Sequence, residues 1–140
     1  MHHYLTNYES KRMKTKELKI KTSLNKKGDN VARVWLVGDA LESAGFSIGD
    51  YYKVRHYSDT REIVIDLYGT NSTFPVAFSN GNLRKVSKSK GKPVIDLQSA
   101  AVFETLNAGV NKRVLVSFGD GVITVRGYFR VLDHMAGEAA

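Results

Sequence analysis

The apolar positions along this chain fall into short alternating runs, not long helical stripes. Across 16–24, Leu18, Ile20 and Thr22 lie on one side and Lys19, Lys21 and Ser23 on the other. This period of two predicts a half-exposed strand with a basic outer face. Asn25-Lys26-Lys27-Gly28-Asp29-Asn30 reads as a turn. A second strand follows at 31–37, in which Trp35 is expected to face the core. Asp39 is placed to cap a short helix reaching about residue 46, with Ala40, Leu41 and Ala44 inward and Gly45 marking its end. Strands are expected at 51–57 and 62–68, joined by a tight loop at 58–61.

Gly69 opens a connector through 70–82 with a small apolar patch at 74–78, which Pro75 assigns to an edge strand or loop. The order then begins again. A basic strand-like run at 83–88 leads to the turn Ser89-Lys90-Gly91-Lys92 and a strand at 93–97. Ser99 can cap a helix to about 106, and a hairpin at 112–118 and 122–128 surrounds Gly119-Asp120-Gly121. A constant shift of sixty positions lays Val34 on Val94, Val54 on Val114, Ile63 on Ile123 and Tyr68 on Tyr128. Units this small bury too little apolar surface alone, so the duplication implies two units completing one core. The expected organisation is a flexible segment at 1–15, a first unit at 16–69, a connector at 70–82, a second unit at 83–129 and a tail at 130–140. The fold class expected is mainly β with short helices (α+β), with Val54, Val114, Ile63 and Ile123 in the shared core.

Composition narrows the chemistry. Among 140 residues there is no cysteine, which excludes disulfides and cysteine metal sites and suits a cytoplasmic location. His2, His3, His56 and His134 show no ligand spacing, so neither metal nor cofactor is expected. Asp50, Asp59, Glu62 and Asp66 are assigned to a turn, a loop and strand faces. No serine-nucleophile motif, phosphate loop or dinucleotide fingerprint is present, so no catalytic residue is assigned and no enzyme is expected. The first sixteen residues are polar and basic, without a leader-type apolar run, and no stretch is apolar enough for a membrane helix.

The net charge of +7 points to an anionic partner and excludes an acidic DNA mimic. The candidate nucleic-acid-binding residues are Lys19, Lys21, Lys26, Lys27 and Arg33 in the first half, and Arg84, Lys85, Lys88, Lys90 and Lys92 in the second. Cations on strand faces and in turns can follow a phosphate backbone, and arginine can also read a guanine edge. Tyr51, Tyr52, Tyr57, Phe118, Tyr128 and Phe129 are read as core or cross-strand packing before base stacking.

Each half resembles the swapped-hairpin domain of the AbrB, MazE and SymE families. The first half reads KELKIKTSLNKKGDNVARVWLVGDALESAGFSIGDYYKV followed by REIVIDLYG, and its segment LESAGFSIGDYYKV is similar to SymE-type sequences. The second reads LRKVSKSKGKPVIDLQSAAVFETLNAGVNKRVLVSFGDGVITVRG, whose RKV, Gly-Lys and VID resemble the AbrB pattern. The turn arginine of the family is replaced by Asp29 and Lys92, and the Gly-Phe step by Thr105-Leu106 in the second helix. The resemblance implies tandem β-α-β-β units forming an intramolecular pseudo-dimer barrel that binds nucleic acid, duplex DNA above all. The function expected is a DNA-binding regulator of a phage or mobile element. The alternative is a toxin–antitoxin or anti-defence protein acting through its basic face on nucleic acid or a protein partner, with SymE-like ribonuclease activity a minor variant. A monomeric pseudo-dimer and a homodimer both remain open.

Overall fold

The alternating run at 16–24 and its copy at 83–88 each break into two strands. In the computed structural model, which describes residues 14–69 and 83–130, the chain forms β1 (Lys14–Lys19), β2 (Lys21–Leu24), β3 (Asn30–Val37), α1 (Asp39–Ser43), β4 (Tyr51–Tyr57), β5 (Glu62–Gly69), β6 (Leu83–Lys85), β7 (Ser87–Ser89), β8 (Lys92–Ser99), α2 (Ala100–Leu106), β9 (Arg113–Phe118) and β10 (Val122–Tyr128). β1 therefore takes in Lys14 and Thr15, which the sequence pattern leaves in the N-terminal segment. The breaks fall at Ile20 and Val86. Ile20 gives its N–H to the Lys112 carbonyl at 2.9 Å, and Val86 gives its own to Asp50 at 2.8 Å. At each, the chain leaves the edge of one sheet and enters the edge of the other. Side-chain alternation continues through such a bend, so the pattern cannot reveal it. The apolar patch at 74–78 and the tail from 131 lie outside the described residues.

The strands make two antiparallel sheets: six strands in the order β1-β9-β10-β5-β4-β6 and four in the order β2-β3-β8-β7. Exchanging each element for its counterpart in the other half leaves both orders unchanged. β1 of the first half pairs with β9 of the second, and β6 pairs with β4. The central pairs β5·β10 and β3·β8 also join the halves. A pair of backbone bonds expresses the same two-fold relation: Leu67 N–H to Gly121 O and Gly127 N–H to Arg61 O, both 2.9 Å, with 67 and 127, and 61 and 121, sixty apart.

The sixty-residue shift does not hold throughout. The bend bonds make Asp50 the counterpart of Lys112, so β4 and β9 are offset by 62, and Val54 corresponds to Val116 instead of Val114. Gly38 and Ser99 each precede a helix, and Leu41 and Val102 are the first buried residues within them. That gives β3 and β8 an offset of 61, placing Val34 on Ile95 and Trp35 on Asp96. Small differences in turn and helix length account for the drift. α2 has seven residues and α1 five.

Ile63, Ile123 and Val114 are fully buried in the common core, and Val54 packs against it half-buried. Two local expectations are corrected. Asp39 does not cap α1: Gly38 holds the cap at φ 94° with no side-chain cap bond, leaving Asp39 in the first turn. Ser99 does cap α2, accepting Val102 N–H at 3.1 Å. Trp35 is not core. It is 41 % exposed, because Val34 and Leu36 take the inward positions of β3 and the alternation turns Trp35 outward.

Candidate nucleic-acid interface

The basic turns of the two halves end up at opposite ends of the four-stranded sheet. Between β2 and β3, Lys26 and Lys27 form the tip of a short hairpin loop. Asn25 Oδ1 accepts the Lys27 and Asp29 N–H groups, each at 2.9 Å, and Gly28 takes the φ of +86° that closes such loops. Between β7 and β8 the two-residue tip is Lys90-Gly91, with φ 53° and 78°, flanked by the paired Ser89 and Lys92. β3 and β8 run antiparallel over eight residues each. The register of β3 and β8 sets Lys92 level with residue 39, about nine steps along the strand from Asn30, so at about 3.3 Å per residue and 4.8 Å per strand the tips are roughly 30–35 Å apart. Lys88 sits opposite Pro93 on the outer strand β7, and all four residues of β2 are exposed.

Lys19, Lys21 and Arg33 converge elsewhere. Lys21 lies directly opposite Arg33 across β2·β3. With Leu18 and Trp35 these three line a groove of about 440 Å³. The Arg33 guanidinium lies 4.7 Å from the Trp35 ring centre. Asp96 fixes it there through two hydrogen bonds, Nε–Oδ1 and Nη2–Oδ2, each 2.9 Å. The Asp96 hydrogen bond also raises the Arg33 pKa, outweighing desolvation. Arg33 is thus a positioned group whose charge is largely offset, while Lys19 and Lys21 supply the positive field of the groove.

Arg84 and Lys85 are separated from the tips, on the edge strand β6 of the larger sheet. Arg84 lies opposite Tyr52 across β4·β6. Burial still pushes the Tyr52 pKa up, with Arg84 acting in the opposite sense. Lys85 lies 5.7 Å from the Tyr51 ring centre. Nearby on β4, Lys53 covers Tyr68 at 4.2 Å, and Arg55 approaches Tyr57 at 5.6 Å while binding Asp66 at 2.7 Å and 3.2 Å. Of the aromatics singled out from the sequence, Tyr52 and Phe118 are buried; Tyr57 and Phe129 are exposed.

Trp35 and Leu18 are the groove residues that sequence reasoning misses, together with Asp96 as the anchor of Arg33. The offset that sets Trp35 against Asp96 comes from pairing two distant strands, and no local spacing carries it. Asp50 holds its turn by accepting the Ser47 N–H at 2.8 Å. Among the described residues no cluster of His, Asp and Glu could hold a metal ion, and no helix is long and apolar enough to cross a membrane. No protein-family model, curated protein or solved structure matches the chain.

Proposed function

We propose that the protein is a nucleic-acid-binding protein, a DNA-binding regulator in its leading form, which lays the outer face of its four-stranded sheet along a duplex. One observation carries the reading: two lysine-tipped hairpins, related by the internal two-fold, stand at opposite ends of one sheet. A two-fold pair of cationic tips suits a polyanion whose backbone is itself two-fold related. The exchange of edge strands between the halves adds support, because it is the arrangement that the AbrB-like resemblance implies for an intramolecular pseudo-dimer barrel. The chemistry is that of positioning. Lysine tips neutralise phosphates and release counterions, while rigid hairpins fix where those charges fall.

Titration of the full chain with labelled random duplex DNA at two salt concentrations tests this. Affinity should fall steeply with salt. Charge reversal at Lys26 and Lys27, or at Lys88 and Lys90, should weaken binding to all sequences. It should also reduce the salt slope by about one for each phosphate that is no longer neutralised. Reversal of Arg126, on β10 of the other sheet, should matter much less. Equal losses from both groups would reduce the reading to diffuse attraction. A second reading, a protein partner within a toxin–antitoxin or anti-defence system, is favoured by exposed Trp35 and Leu24, large apolar groups of the kind that anchor protein interfaces. Failure to bind any nucleic acid at low salt would select it.

A further inference from the structure

The groove beside Trp35 differs from the lysine tips in kind. The tips offer charge alone; the groove joins charge to a flat aromatic wall. We propose that it holds one unstacked nucleotide, with the base against the Trp35–Arg33 pair and the adjoining phosphate on Lys19 and Lys21. This rests on the nucleic-acid reading above and adds that one base is read outside a duplex stack.

Three features select this ligand chemistry. Trp35 stays 41 % exposed although the Arg33 guanidinium lies 4.7 Å from its ring centre, and both planar groups can stack a base. Arg33 cannot swing away freely, since Asp96 holds it through two hydrogen bonds of 2.9 Å. Among the described residues that line the groove, Lys19, Lys21 and Arg33 carry the charge, and the adjoining Asp96 carboxylate is engaged by Arg33. Its volume of about 440 Å³ lies within the range of small-ligand sites. Bases inside a duplex hide both ring faces, so the nucleotide must come from a single strand or be extruded from a helix.

The internal two-fold sharpens the inference. The counterpart of Trp35 is Asp96, and the two face each other across β3·β8. Similarly, Arg84 stands where the first half has Leu18, and Ser87 where it has Lys21. The second half therefore lacks the aromatic wall, and one chain takes one base.

Trp35 is the sole tryptophan, so its fluorescence reports on this groove alone. The full chain is titrated with a single-stranded oligonucleotide, a matched duplex, the same duplex with one unpaired nucleotide, and a base-free deoxyribose-phosphate strand. Saturable quenching at one site per chain is expected from the single strand and the bulged duplex, and little from the other two. Tighter binding of the bulged duplex would identify an extruded base as the source; tighter binding of the single strand would identify free strand. By anisotropy of the labelled oligonucleotides, Trp35→Leu should weaken both complexes about ten-fold, with Trp35→Phe recovering most of the loss. The exposed position lets both variants fold, which circular dichroism verifies. Equal quenching by the matched duplex overturns the proposal. So does binding of the single strand and the bulged duplex that responds to Lys26 and Lys27 reversal but not to Trp35→Leu, and that result leaves the broader reading standing. Absence of binding to all four probes removes both.

Discussion

A Cβ on Gly127 would stand 2.5 Å from the carbonyl oxygen of Leu106, the last residue of α2. That carbonyl also accepts the Asn111 side-chain amide at 2.9 Å, so the helix end is held from two sides. Backbone cannot retreat as a flexible side chain would. Gly127→Ala should lower stability by about 1–3 kcal/mol, the usual cost of overfilling a packed site, read as a shift in urea midpoint. An unchanged midpoint would mean that β10 and α2 are less closely apposed. His56 gives a pH-dependent counterpart. Its Nδ1 lies 2.9 Å from Thr105 Oγ1, and burial, then the charge of Arg84, lowers its pKa below 6.5. The unfolded chain therefore binds the proton first as pH falls, so stability held above 6.5 is lost as pH drops through the folded-state value. The urea midpoint should decline over that interval, and His56→Asn should flatten the decline without altering the profile above 7.

Among elements, those set by local chemistry are legible in the amino-acid sequence. The Asp120-Gly121 hairpin, the Ser99 cap and the third strand at 51–57 all fall where alternation and turn residues place them, since each depends on neighbours within a few positions. Elements defined by distant partners are not. Ile20 and Val86 look like ordinary inward residues of a continuous strand; only the carbonyls of Lys112 and Asp50 show why the chain turns there. The outward turn of Trp35 is hidden for a related reason. A mostly apolar run such as VARVWLV does not itself say which face is inward, and the buried set proves to be Val31, Ala32, Val34 and Leu36. The ten cations are visible as residues, but not their division into two tips, a groove and the β6 edge. That division depends on how the two sheets exchange strands.

At the scale of the molecule, the halves share both sheets, so neither should persist alone. Two polypeptides covering residues 1–69 and 83–140 are each expected to lack cooperative unfolding. Mixed, they should recover the circular dichroism and the urea transition of the intact chain. The intact chain should unfold at the same midpoint across a wide dilution range, which sedimentation of a single-chain species would accompany. A half that folds by itself would contradict the shared core. The exchange of edge strands also sets a timetable for synthesis. β1 emerges from the ribosome early, yet the residues it pairs with lie 94 to 104 positions further along, from Lys19↔Arg113 to Lys14↔Phe118. Translation at about 5–20 residues per second leaves β1 without its partner for several seconds or longer. During that interval a neighbouring nascent chain on the same messenger presents an equivalent edge, and the cell's rate of translation bears on whether the strand closes at home or abroad.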